Sequence, residues 1–223
     1  PEKKEKKGPL PARMEGCPFC PGNEHLTPPE VLAYRGDFRQ DAGAGDPDVP
    51  GWSVRIIPNK FPALERRRDG DHLDDRQNHK WNFFQDFTGY GVHEVIIETP
   101  DHNRQLADLS ADELALVLRS FKERLLSLEK DPRLKYVQIF RNHRREAGAS
   151  IEHPHGQLIA LPYIPPLLEK EYQRSREYYD ENGRCLLCTL LDEEEKRGER
   201  VVLSNESFLA YIPFAAQLPF TTW

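Results

Sequence analysis

"GASIEHPHGQLIAL", residues 148–161, sets His153 and His155 two positions apart with Pro154 between them, immediately ahead of an apolar run. In an extended strand successive side chains alternate faces, so residues i and i+2 share one face about 6–7 Å apart. Both imidazoles are therefore expected on one side of a strand. Pro154 lacks a backbone donor and favours the edge or the start of a strand, which puts the pair where a sheet meets a ligand. An imidazole there can be a metal ligand, a general base or a nucleophile, because a neutral ring nitrogen is available near neutral pH. The pair alone leaves three arrangements open: one histidine on a metal and its neighbour free, both on a metal, or both in solvent.

The flanking residues narrow this. "NHRREAGAS", 142–150, gives a Gly/Ser-containing loop that can offer backbone N–H groups and Ser150 Oγ to an anion, and Gln157 continues the i, i+2 series with an amide donor. Further strands are expected at "GVHEVIIET", 91–99, and "KYVQIFRN", 135–142, both rich in β-branched or aromatic residues. "WSVRIIPNKFPAL", 52–64, begins as a strand that Pro58 ends. One long helix is expected over 110–130, with Ser110 and Glu113 as a capping box and Leu114, Val117, Leu118, Phe121 and Leu125 as its core face. A second covers 166–182, with Gly183 just past its end. Strands with a few helices and no regular βαβ alternation predict an α+β fold, a mainly antiparallel sheet with flanking helices.

At 223 residues, 38% apolar and 10% aromatic, the chain can build one large or two modest domains. A net charge of −6 argues against a nucleic-acid protein, although "PEKKEKK" at the start is locally basic. No apolar run is long enough to span a membrane and no signal-peptide order appears, so the expected location is cytoplasmic, with no membrane partner. Residues 1–15 are expected to be a flexible lead-in, and 39–51, rich in Gly, Asp and Pro, a surface loop. The last stretch, "SFLAYIPFAAQLPFTTW", is apolar and strand-like with no polar closure, and the chain is expected to be a fragment.

Four cysteines fall in two close pairs, Cys17/Cys20 and Cys185/Cys188, a grouping that favours metal over disulfides in a reducing compartment. "GCPFCPGNEHLTPPE", 16–30, makes a tight turn around the first pair, which suits a metal knuckle; an isolated CxxC is otherwise a pair of small buried residues. A tetrahedral zinc needs two more ligands, and imidazole is the partner it takes with thiolate. Eight histidines could supply them: His25, His72, His79, His93, His102, His143, His153 and His155. His102, in "ETPDHN" after a strand, would by itself be read as a surface histidine.

His153-Pro154-His155-Gly156-Gln157, with Cys17-Pro18-Phe19-Cys20 upstream and Pro100-Asp101-His102 between, resembles the galactose-1-phosphate uridylyltransferases of the histidine-triad superfamily. "IPNKFPAL", "FRN", "GAS" and "YIPFAAQLPF" extend the resemblance, which runs from Cys17 to Trp223. It implies the first repeat of a two-repeat transferase: a histidine-triad-like domain with a zinc knuckle over 16–165, then a connecting helix and the start of a second repeat over 166–223. It implies that His155 is the nucleophile toward the α-phosphorus of UDP-glucose and that Cys17, Cys20, His102 and His153 hold a structural zinc. Asn59, Phe61, Val95, Asn142, Gly148, Ser150 and Gln157 match positions lining the nucleotide and phosphate site. Glu171 matches a ligand of a second metal in some members. Cys185 and Cys188 are expected to bind a second zinc with ligands beyond Trp223.

The implied reaction is ping-pong uridylyl transfer between hexose 1-phosphates by a homodimer whose active site borrows residues from the partner subunit. Gln157 stands where hydrolytic relatives carry a third histidine; an amide stabilises phosphoryl oxygens but cannot shuttle a proton. Two features depart from the pattern. Lys60 replaces an acidic residue, and "CLLC" at 185–188 with "LPYIPP" at 161–166 resembles a subgroup that includes a plant ADP-glucose phosphorylase. The alternatives are thus adenylyl transfer from ADP-glucose to phosphate, or a non-catalytic zinc-ribbon interaction module with all four cysteines on one zinc.

Overall fold

The computed structural model describes residues 11–35, 45–66 and 89–223. The basic start of the chain, residues 39–44 of the expected surface loop, His72 and His79 lie outside the described residues. The chain divides into two compact units, Pro1–Tyr163 and Ile164–Trp223.

The first unit is built on five strands: β1 (Leu32–Arg35), β2 (Trp52–Pro58), β3 (Val92–Ile97), β4 (Tyr136–Phe140) and β5 (His155–Leu161). They pair antiparallel in the order β1-β2-β3-β5-β4, the α+β class expected. β1 was not anticipated; its four residues are too short for alternation to stand out. β2 ends at Pro58, where the missing N–H interrupts the ladder.

Alternation sorts the strands into two faces. Val54, Ile56, Val92, Ile96, Leu158 and Ala160 form one core layer. Helix α1 (Ala111–Leu128) covers it with Leu116, Val117 and Leu128, while Phe121 packs at the margin. The expected helix face is therefore rotated: Leu118 is exposed, and the buried stripe runs through Leu116, Val117, Ser120 and Leu128. Arg124 clamps the helix to the sheet through bonds of 2.6 and 2.8 Å to both oxygens of Glu94.

The opposite face carries Ala33, Trp52, Ile57, Val95 and Ile97, packed against Cys17, Phe19 and Cys20. Glu24 braces that N-terminal turn, accepting from Trp52 Nε1–H and from Gly22 N–H, both at 2.8 Å. In the β3/β5 register Ile97 lies opposite His155 and Val95 opposite Gln157, so both β5 residues share this second face. The double-histidine strand needs a correction: β5 begins at His155, His153 precedes the ladder, and β5 is an interior strand. Pro154 does mark the strand start, since it cannot donate to a neighbour.

The second unit holds α2 (Pro166–Asn182), α3 (Leu186–Arg197) and a hairpin of β6 (Val201–Ser204) with β7 (Leu209–Tyr211). α2 has the expected bounds, closed by Gly183 at φ +66°, a left-handed conformation that glycine adopts without Cβ strain. α3 was not anticipated. No helix among the described residues is long and apolar enough to cross a membrane.

Candidate functional site

The first cysteine pair sits in a turn closed by the Cys20 N–H bond to Cys17 C=O at 3.2 Å and by Asn23 Nδ2 donating to the same carbonyl at 2.8 Å. Met14 N–H points at Cys20 Sγ over 3.3 Å. Four side chains meet here, Cys17, Cys20, His102 and His153, all buried, with ligand-capable atoms within 4.8 Å of one another. His102 Nδ1 lies 3.4 Å from Cys20 Sγ, and His153 Nδ1 lies 3.5 Å from Cys20 Sγ and 3.8 Å from Cys17 Sγ. The cluster can hold a metal ion. His153 Nε2 lies 2.8 Å from Thr99 C=O. A carbonyl only accepts, so Nε2 carries the proton and Nδ1 turns its lone pair to the sulfurs. Burial pushes His153 down to about 4 and the Cys17 thiol up to about 11, so both resist charge without a cation.

His155, two residues on, uses its ring the other way round. Its Nδ1 lies 2.8 Å from His153 C=O and so donates, which leaves the Nε2 lone pair free of any hydrogen bond among the described residues. Phe19 packs edge-on against both rings, with centroids 5.2 Å from His155 and 6.2 Å from His153. Burial lowers His155 below the ordinary histidine value, against the opposing pull of its bond to the His153 carbonyl.

Two cavities open at His155. One, of about 620 Å³, is lined by Phe19, Asn59, Phe61, Val95, Ser150 and Gln157, among others. Phe61 stands 83% exposed at its rim, its N–H bonded to Asn59 Oδ1 at 2.9 Å. The other, of about 640 Å³, is lined by Arg141, Asn142, Arg144 and Arg145 together with Glu146 and Glu152. Gly148, at φ +93°, ends a short 3-10 turn in this loop beside Asn142. Arg144 holds φ +67° and ψ 172°, a region that is nearly glycine's alone.

Arg141 is anchored by Glu98, 3.0 Å away, and by Gln105 at 2.7 Å. Burial pushes Glu98 up to about 7 despite the arginine. Neither Glu98 nor Arg141 stood out in the sequence, because a strand-end acid and a strand-end arginine have no spacing signature. His93 was likewise without a role, yet it lies between Asn59, Ala63 and Gln157.

Cys185 and Cys188 belong to the second unit, exposed at the start of α3. No third ligand gathers with them among the described residues, and Glu171 is an exposed residue of α2. Within the first unit, the Cys17/Cys20 pair gathers with His102 and His153.

A histidine with a bare Nε2 over an antiparallel α+β sheet, next to a buried Cys/His cluster that can hold a metal and lining two cavities, defines a histidine-triad-like α+β domain. The sequence profile of galactose-1-phosphate uridyl transferase, N-terminal domain, matches residues 44–165, and the chain belongs to that family. It is 32% identical over 211 residues to an ADP-glucose phosphorylase of Arabidopsis thaliana, covering 95% of this chain and 54% of that protein. It is 36% identical over 210 residues to a galactose-1-phosphate uridylyltransferase of Thermotoga maritima, covering 94% and 57%. A crystal structure of an Arabidopsis thaliana ADP-glucose phosphorylase with bound ADP-glucose superimposes with a TM-score of 0.70 at 30% identity, covering 95% of this chain and 58% of the other. The chain spans about half the length of the curated relatives it matches.

Proposed function

We propose that the chain carries the nucleophile of a nucleotidyltransferase that moves a uridylyl group between hexose 1-phosphates. The observation that carries this is the His155 ring: Nδ1–H given to the His153 carbonyl, Nε2 bare, and a cavity on either side. Nε2 attacks the α-phosphorus of UDP-glucose, the bond to the β-phosphate oxygen breaks, and glucose 1-phosphate leaves with the electron pair. As the N–P bond forms the ring gains positive charge, and its Nδ1–H bond to the carbonyl strengthens. A phosphate oxygen of galactose 1-phosphate then attacks the same phosphorus and the N–P bond breaks. Two displacements at one histidine give ping-pong kinetics.

In this reading Asn59, Phe61 and Val95 hold the nucleoside, while Gly148, Ser150 and Gln157 contact phosphoryl oxygens. Asn142 and the arginines beside it receive the second phosphate. The cluster of Cys17, Cys20, His102 and His153 fits zinc. Tetrahedral bonds of about 2.3 Å to sulfur and 2.0–2.1 Å to nitrogen set S···N separations of about 3.6 Å; three of the four pairs lie at 3.4, 3.5 and 3.8 Å, and the fourth lies within 4.8 Å. Four protein ligands leave no open position, so zinc there fixes the chain around His155. A second zinc would take Cys185 and Cys188, whose thiols share the first turn of α3, with further ligands outside the described residues. We extend the same reading to a homodimer in the cytoplasm, where such thiols stay reduced.

Adenylyl transfer from ADP-glucose to phosphate is the second reading, favoured by the Arabidopsis relative's name and by Lys60 at the nucleoside cavity. Both use the same His155 chemistry. The test gives full-length protein labelled UDP-glucose with galactose 1-phosphate in one arm and labelled ADP-glucose with inorganic phosphate in another, and compares kcat/KM. An acid-labile label on His155, absent in His155→Asn, is expected, with the uridylyl arm faster. A label that persists in His155→Asn overturns the mechanism. A faster second arm changes only the base.

A further inference from the structure

Three groups converge on His93, and none of the roles above uses it. Ala63 N–H donates to His93 Nδ1 over 3.0 Å. That nitrogen therefore accepts, and the ring's own proton sits on Nε2. Two amides face Nε2: Gln157 Oε1 at 2.9 Å and Asn59 Nδ2 at 3.0 Å. Asn59 is oriented by its Oδ1, which accepts from Phe61 N–H at 2.9 Å, so its nitrogen offers only hydrogens and cannot accept. The Nε2–H goes to Gln157 Oε1.

The consequence falls on Gln157. The two ends of a glutamine amide have nearly the same shape, and only a hydrogen-bond partner decides which faces forward. With its oxygen held by His93, the –NH2 end is turned away from that ring and makes no hydrogen bond among the described residues. Gln157 lines the cavity that also contains His155 and Ser150. Reversed, its carbonyl would meet phosphoryl oxygens with like charge.

We propose that His93 is a positioning residue for nucleotidyl transfer, which fixes the Gln157 amide with its –NH2 toward the phosphoryl group on His155. This rests on the transfer reading, and it explains how an amide there acts only as a donor.

The competing role is structural, because His93 also ties residues 59–63 to the sheet, its Nδ1 accepting from Ala63 N–H and its carbonyl from Asn59 N–H at 2.9 Å. A double-mutant cycle separates the two. Full-length His93→Phe, Gln157→Ala and the double variant are assayed for steady-state transfer and thermal midpoint. His93→Phe is expected to lower kcat about 10- to 100-fold with KM little changed, on the order of losing one oriented donor. In the Gln157→Ala background the same change should cost less than about threefold, since the group it orients is gone. His93→Gln, which has both an acceptor for Ala63 and a donor for Gln157, should recover much of kcat. Equal fold-losses in both backgrounds, or a loss that follows the thermal midpoint in His93→Gln as well, overturns the proposal alone. An unsubstituted protein that transfers from neither donor removes the transfer reading and this proposal together.

Discussion

At the scale of single residues, two histidines two positions apart are set to opposite uses by which carbonyl each ring meets. Thr99 C=O takes the Nε2 proton of His153 and frees Nδ1 for the sulfurs, while His153 C=O takes the Nδ1 proton of His155 and frees Nε2. The spacing exposed the pair but not this division, which depends on backbone carbonyls that only the fold brings near. The Cys17/Cys20 turn was legible as a ligand pair from its chemistry, whereas the choice of His102 and His153 among eight histidines came only from the family resemblance. His93 was not legible, because its role depends on β3/β5 register. Cys20→Ser is expected to abolish stoichiometric zinc in protein purified without added metal, and to lower the thermal midpoint by several degrees, because Cys20 Sγ lies against both histidine nitrogens and the Met14 amide. Elemental analysis beside calorimetry reads this, and full zinc retention would refute the ligand set.

At the scale of elements, α1 shows what a pattern reveals and what it hides. Its start was readable from Ser110 and Glu113, which form the reciprocal cap: Glu113 N–H to Ser110 Oγ at 3.3 Å and Ser110 N–H to Glu113 Oε2 at 2.7 Å. Its face was not, because Leu114, Leu118 and Leu125 form a second apolar stripe beside the buried one. The buried stripe contains Ser120, whose hydroxyl is satisfied by Val117 C=O at 2.7 Å and so costs little inside the core. The cap also predicts a pH dependence. Arg104, through bonds of 2.6 and 2.8 Å, and then the Ser110 amide hold Glu113 down to about 2, from 4.5. A carboxylate with a depressed folded pKa contributes stability that is complete above about pH 4.5 and disappears as the pH falls toward 2. Glu113→Gln should therefore cost about 1 kcal/mol by urea unfolding near pH 6, and the gap to the unsubstituted protein should close as the pH falls. A gap independent of pH would point to packing instead.

At the scale of the whole molecule, the metal cluster, both cavities and His155 lie within the first compact unit. A chain ending at Tyr163 is therefore expected to unfold in one cooperative transition and to bind one zinc. Loss of zinc or of cooperativity in that shortened chain, followed by calorimetry and metal titration, would show that the second unit is needed to close the first. The antiparallel α+β class was readable from strand composition, whereas strand order was not, since nothing local dictates that β5 inserts between β3 and β4.

The four ligands of the cluster come from three separate places in the chain: the turn at 17–20, the loop after β3 at His102 and the approach to β5 at His153. The thiols are the first of these to leave a ribosome and His153 the last. Until β3 and β5 have paired, Cys17 and Cys20 are an incomplete chelate with the chemistry of any exposed dithiol, open to oxidation or to a stray metal. Because gathering all four donors requires that late strand pairing, an ion held there would report a finished sheet and count, during synthesis, as the domain's own completion signal.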